Sequence, residues 1–449
     1  MALSAEKARK AHIAFQRFGL GCTPGQFDKV GRNAEEALFD EVRSGRIAKI
    51  PSAKLPSYAK ACSDSQKGKS EDLRRKELDA RVDKHLDVQI GFVERLVIFW
   101  SNHFSMTVRK SSAVRGTIGQ LERDVIREHV LGDFSKMLIG VLTHPAMISY
   151  LDNDDSVGPN SEYGLQRGAG FNENLARETM ELYTVGSGGG YTEEDVTNLS
   201  LMLTGWSYVR GWEADNKYNG GNSRNRGKFI FHRKWHEPGK IRLMGKVYPA
   251  KGQSQALKAL RDLAAMPETA EHIAFKLVRH FITDEPTPEM VEPLKNKFLA
   301  TNGDLKAVSM ELLRLPEAFT APLTKLRTPY ELAIAQFRAL RQRYSDDGYW
   351  SFASPLNALG NMPWEYLTPE GYPDETLFWL DPDGMTLRLE TALYAGWVYD
   401  DRMKGTPVKL ARDLFGGVLT RDTLERVDAA NNVANALAIL FCSPEFQRR

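Results

Sequence analysis

The stretch IGFVERLVIFWSNHF, residues 90–104, decides the fold class. Val93, Leu96, Val97, Trp100 and Phe104 recur at three- and four-residue intervals, which puts them on one face of an α-helix. Upstream, EDLRRKELDARVDKHLDV (71–88) mixes charges of both signs and reads as an earlier part of the same long helix. Downstream, LERDVIREHVLGDFSKMLIGVLTHPAM (121–147) reads as two short helices broken near Gly132–Asp133 and stopped near Pro145. The pattern continues through QSQALKALRDLAAM (253–266), ETAEHIAFKLVRHFI (268–282), PEMVEPLKNKFLAT (288–301), LKAVSMELLRL (305–315), TPYELAIAQFRALRQRY (328–344) and VANALAILF (433–441). SMELLRLPEAF (309–319) and NALAILFCSPEF (435–446) echo each other, each closing a helix with Pro-Glu and a phenylalanine. Strand signals are few. In KFIFHRKWHEPGKIRLMGKVYPA (228–250), two apolar runs flank the turn dipeptide Pro238–Gly239, which predicts a β-hairpin over about 229–248. NKYNGGNSRNRGK (216–228) reads as a mobile polar loop, and NALGNMPWEYLTPEGYPDETLFWLDPDG (357–384) as a loop aromatic enough to be ordered. The expectation is a mainly α, multi-helical globular fold with one small hairpin. An N-terminal helical lobe over 1–250 packs on a C-terminal helical lobe over 251–449.

Bulk properties narrow the function classes. A chain of 449 residues with 42% hydrophobic and 26% charged residues supports a sizeable core without disulfides or structural metal. A net charge of +2 argues against a dedicated nucleic-acid binder. Cys22, Cys62 and Cys442 are far apart, odd in number and outside any CxxC pair, so no disulfide framework is read. The first residues lack the apolar core of an export leader, and no apolar run approaches the ~20 residues of a membrane span, so the chain reads as cytoplasmic with no membrane contact.

The residues with chemistry gather in NENLARETMELYTVGSGGGYTEEDVTNLSLMLTGW, residues 172–206. On a helical wheel Asn174, Arg177, Glu178 and Glu181 share one sector, and Leu175, Ala176, Met180, Leu182 and Tyr183 lie opposite. Thr192 is the expected N-cap of the next helix, with Asp195 completing a capping box. The glycines from Gly186 to Gly190 let the two helices fold back as a hairpin that brings Asp195 toward the first helix. Glu178 and Glu181 form an ExxE pair of the kind that binds metal in helical bundles, without the accompanying histidine. The same charges also make ordinary i,i+4 pairs, Glu173 to Arg177 and Arg177 to Glu181, on a wet helix face. In YLDNDDSVGPN (150–160), Asp152, Asn153, Asp154 and Asp155 offer oxygen ligands suited to calcium or magnesium, or form a helix-ending turn. Val157 stands where a calcium-binding EF-hand loop needs glycine. His232 and His236 in HRKWH would lie ~13 Å apart along a strand, too far to share one ion. His103 in WSNHF follows a strongly apolar helix and reads as a hydrogen-bonded core histidine before it reads as a ligand.

These segments resemble a large bacterial family known as domain of unknown function 1800. RFGLG, FWSNHF, HPAMISYLDN, NENLARETMELYTVG, GGYTEEDV, LTGW, HEPGK, FKLVRHF, GDLKAV and SPEFQRR carry the resemblance, in order, from Arg17 to the end of the chain. It implies a helical fold. It also implies signature positions at Trp100, His103, Asp152, Asn153, Asn172, Glu173, Asn174, Arg177, Glu178, Glu181, Tyr191, Asp195, Trp206 and His236. Tyr183 stands where the family has histidine, and Glu237 where it has aspartate. The resemblance further implies a phosphatase-like protein as a neighbour, and export of many relatives.

Two readings follow from the motif. In the first, the chain is a metal-dependent enzyme. Asp152, Glu178, Glu181 and Asp195 hold a divalent ion (calcium, magnesium, manganese or iron), His103 or His236 serves as base, and Arg177 orients an anionic substrate or a carboxylate. That reading expects the carboxylates to converge in a pocket. In the second, the chain is a non-catalytic binding or maturation partner of a phosphatase-like protein, and the motif is a closed lattice of ion pairs around Arg177. Nucleic-acid binding through the basic, aromatic stretch NSRNRGKFIFHRKWH (222–236) ranks last, because the whole chain is nearly neutral.

Overall fold

The computed structural model describes residues 3–45, 48–51, 55–210, 225–342, 348–399 and 405–449. The molecule is mainly α-helical, as the periodicity requires. Its helices include α1 (Phe92–His103), α2 (Phe134–Leu142), α3 (Asn174–Glu178), α4 (Glu193–Leu203), α5 (Pro267–Phe281), α6 (Leu305–Arg314), α7 (Pro329–Ala339), α8 (Pro382–Tyr399) and α9 (Val433–Cys442). Among the described residues the strands form two small antiparallel pairs, β1 (Trp206–Tyr208) with β2 (Phe229–Phe231), and β3 (Ile241–Leu243) with β4 (Lys246–Tyr248). The expected hairpin is therefore present over its second half. It turns at Met244–Gly245, while Phe229–Phe231 pairs back to the strand that follows α4. The proposed loop at 216–228 lies outside the described residues up to 224. The aromatic loop is ordered: Asn102 binds the backbone of Tyr372 at both its amide nitrogen and oxygen (2.8 Å each).

The long charged helix and α1 are not continuous. The first runs Ser70–Asp87, and the chain then turns through Gly91 at φ +99° before α1 begins. Glu41, buried and some fifty residues earlier, accepts hydrogen bonds from the backbone N–H groups of Ile90, Gly91 and Phe92 (2.7–3.2 Å). Its carboxylate caps α1 and complements the positive end of the helix dipole.

Within α1, the neighbours Glu94 and Arg95 seed two buried ion clusters. Glu94 receives Arg127 (2.8 Å) and His85 (3.1 Å), and Arg127 also reaches Glu122 (3.1 Å). Arg95 meets Glu331 of α7 (3.0 Å), which also holds Arg449 (2.8 Å). His280 of α5 lies between Arg95 (3.2 Å) and Asp374 (2.6 Å). The charged side chains of Arg95, Arg127, Glu331 and Arg449 are fully buried, as is His85. Each such charge is tolerable only because its partners are in place.

The helix-ending echo is also structural. After α6 and α9, Pro316 and Pro444 each open a short helix. A longer match joins LGDFSKMLIGVLTHP (131–145) to NGDLKAVSMELLRLP (302–316). Asp133 and Asp304 cap α2 and α6 in the same way and face each other in an antiparallel bridge. Phe134 N–H donates to Gly303 O (2.9 Å), and Leu305 N–H donates to Gly132 O (2.8 Å).

Candidate functional site

The motif helix α3 continues as a wider π-helical turn over Thr179–Tyr183. Leu175, Ala176, Met180 and Tyr183 are buried beneath it, which leaves Glu173, Arg177, Glu178 and Glu181 on the outer side. Arg177 binds three carboxylates: Glu173 (3.2 Å), Glu181 (3.2 Å) and, through both terminal nitrogens, Glu193 of α4 (2.8 and 3.1 Å). The far oxygen of Glu173 accepts the Thr197 hydroxyl (2.8 Å). The lattice thus staples α3 to α4 across the glycine hinge. It also raises the guanidinium affinity for its proton, chiefly through Glu193.

Glu178 stands apart. It is half-buried, and no hydrogen bond or ion pair to its side chain is present among the described residues. Burial first, and then the charge of Glu181, push its carboxyl up to about 7 against the opposing pull of Arg177. Its charge bears in turn on the hydroxyls of Tyr150 and Tyr183.

The remaining expected site residues are engaged elsewhere. Asp195 closes the capping box with Thr192 through one oxygen, and its other oxygen accepts Met244 N–H (2.7 Å) at the β3–β4 turn. Asp152 pairs with Lys110 (2.5 Å), and Asp154 and Asp155 with Arg210 (2.8 and 2.6 Å). His103 is buried. Its Nε2 meets Tyr183 O at 3.3 Å, and burial holds its pKa well below the ordinary histidine value. His236 Nδ1 meets Thr204 O (3.2 Å), while Glu237 next to it receives both Asn160 nitrogens (2.6 and 3.0 Å). HEPGK is therefore a clamp on the 158–164 segment. Of the seven expected residues, only Arg177, Glu178 and Glu181 are brought together.

If Glu178 carries the unspent proton of this surface, Glu178→Gln is expected to stabilise the protein above pH 7 and leave it nearly unchanged below pH 4.5. The sign follows from linkage. The carboxyl pKa is raised in the folded state, so its contribution is present below the ordinary value of 4.5 and is lost as pH rises through about 7. The gain at pH 8 should be about 1 kcal/mol after solvent screening. Urea unfolding at pH 4 and pH 8 reads it, and equal gains at both pH values would contradict it.

A second feature is not legible in the sequence. Between the C-terminal half of α1 and the aromatic loop lies a cavity of about 70 Å³. Arg81, Trp364, Tyr330, Tyr366 and Tyr372 wall it, with His280 and Asp374 at its lining. Gly371, at φ +81°, brings the loop so close to α1 that a Cβ there would lie 2.4 Å from Asn102 O.

The fold and these sites define a mainly α-helical protein organised by buried ion clusters, with an inter-helix carboxylate–guanidinium staple. The chain belongs to the family described as "Protein of unknown function (DUF1800)", whose family model matches residues 13–448. No curated protein and no solved structure matches it. No helix among the described residues is long and apolar enough to cross a membrane.

Proposed function

We propose that the protein works as a non-catalytic docking partner for another protein. The observation that carries this reading is an apolar ledge on α8 and the turn before it. Leu389, Leu393 and Trp397 recur every fourth residue on the exposed side of α8, joined by Tyr394. Leu377, Phe378 and Leu380 extend the ledge, and Leu377 and Trp397 are 83% and 80% exposed. The opposite side of α8, with Ala392 and Ala395, is buried, and α8 packs on α9. The exposed side chains together offer on the order of 800 Å², the share one partner gives to a standard-size interface.

The charges beside the ledge select the occupant. Asp381, Asp383 and Glu390 are exposed there, and the single arginine among the described residues of α8, Arg388, is buried. A second copy docking by the same face would set acid against acid, and an anionic membrane would be repelled. The occupant that fits is a different protein with an apolar patch and a basic rim. The phosphatase-like neighbour implied by the family resemblance is the first to test. The closed lattice around Arg177 supports the same reading, since it is what a motif that fixes helix packing requires.

The purified full chain and Trp397→Asp would be titrated against the phosphatase-like protein by calorimetry, with sedimentation and vesicle flotation in parallel. Binding weakened at least tenfold by the substitution, with unchanged helicity, is expected. No binding, a dimer broken by the substitution, or flotation with phosphatidylserine vesicles would each overturn the proposal.

The alternative, a metal-dependent enzyme, rests on Glu178. Glu178 and Glu181 supply carboxylate oxygens, but one of Glu181 is already on Arg177. Among the described residues no group of three or more His, Cys, Asp or Glu is placed to hold an ion. That set falls short of the six to eight oxygens calcium takes, and of a two-carboxylate magnesium site with both ligands free.

A further inference from the structure

We propose that the cavity between α1 and the aromatic loop binds a small planar carboxylate, with Arg81 and Trp364 as its anchors. The argument rests on which lining groups are already spent. Glu331 is neutralised by Arg95 and Arg449 and caps α7 through Thr328 N–H. Asp374 is taken by His280, and His280 in turn faces Arg95. Ser101 donates to Glu122, Asn102 is tied to Tyr372, and the Tyr330 hydroxyl meets His85. The Tyr372 hydroxyl donates to Met362 O.

Arg81 and Trp364 are among the buried donors that remain, beside the smaller Ser105 and Asn361. Arg81 is 4% exposed, and its one ion pair among the described residues is a long 3.4 Å contact to Glu122. Its guanidinium lies over the rings of Tyr330 (4.9 Å) and Trp364 (5.4 Å). Trp364 is 8% exposed, and its indole N–H has no partner. It is also held at φ +64°, a left-handed conformation that a bulky residue adopts only under constraint.

Unspent buried donors are costly unless something accepts from them. Both anchors are donors and one is cationic, so an anionic acceptor suits them; Glu331 Oε1, which also lacks a hydrogen bond, is already charge-paired with Arg95 at 3.0 Å. A carboxylate matches the guanidinium fork. The remaining walls, Tyr330, Tyr366, Tyr372 and Trp364, are aromatic, which favours a flat body on the carboxylate. Ile98, Ser101, Asn102 and Tyr366 are only partly buried, so the cavity opens on that side. The site shares no lining residue with the motif surface or with the exposed side of α8.

Calorimetry on the full chain tests this with benzoate, its neutral analogue benzamide, and acetate. The expected result is saturable benzoate binding, at least tenfold stronger than that of benzamide or acetate. Trp364→Phe keeps the ring and removes the donor, and should weaken benzoate severalfold. Arg81→Gln should abolish the preference over benzamide. If Arg81→Gln does not fold, Trp364→Phe and the benzamide comparison still decide. No benzoate binding at millimolar concentration, or equal binding of benzoate and benzamide, would overturn the proposal and leave ordered water as the occupant.

Discussion

Replacing Glu331 by alanine is expected to destabilise the protein by about 3–5 kcal/mol, enough to unfold a marginally stable chain at physiological temperature. Glu331 is fully buried and is the shared anion of Arg95 and Arg449. Removing it strands two guanidinium groups where water cannot reach them. A lost helix cap does not account for an effect of this size. Glu331 also completes the capping box with Thr328, so Thr328→Ala removes the cap while the ion cluster stays, at a cost of about 1 kcal/mol. Chemical denaturation of both variants separates the two roles. If Glu331→Ala costs no more than Thr328→Ala, the cluster contributes nothing beyond the cap.

Acid is expected to unfold the protein cooperatively, beginning below about pH 6.5 and finishing before pH 3. Two sets of groups drive this in the same direction. Burial lowers His144 to about 3, and lowers His272 to about 4 with the help of Lys276. His144 also caps its helix by accepting Ala146 N–H on Nδ1, which protonation forbids. For these groups the folded pKa is depressed, so their stabilisation is present above 6.5 and is lost as pH falls toward the folded value. Glu94 and Glu331 follow at lower pH. Burial alone would raise them, but Arg127 in the first case, and Arg449 and Arg95 in the second, hold both at about 2. Each contributes about 3 kcal/mol that is present above pH 4.5 and is lost progressively as pH falls toward about 2. Far-ultraviolet circular dichroism across pH 8 to 2 reads the transition. Full helicity at pH 3 would contradict this expectation.

The helices were legible because an apolar stripe repeats at the helical period, and α1 shows it most clearly. The break before α1 was not legible, because the residue that caps it, Glu41, lies about fifty positions earlier. The pairing of Phe229–Phe231 escaped for a similar reason: its mate follows α4 and precedes a long intervening segment. At the motif, local spacing revealed Glu173, Arg177 and Glu181 as pairs. It did not reveal that Glu193 would complete the set across the hinge, or that Asp195 would be consumed by Met244. The cavity escaped altogether. Arg81, His280 and Trp364 come from three distant segments, and their only local sign was an aromatic loop with no assigned role.

The reciprocal bonds between Gly132–Phe134 and Gly303–Leu305 bear on how the chain is made. Each helix start is completed by a backbone group from the other, about 170 residues away. At cellular elongation rates the first start therefore waits roughly 10–30 s for its counterpart to emerge. During that interval α2 holds its own side-chain cap but not its bridge, and Phe134 lacks the ring of Phe298 that it meets in the folded protein. Synthesis of this protein thus includes a defined window in which the leading half is exposed to chaperones and to mispairing with another nascent copy.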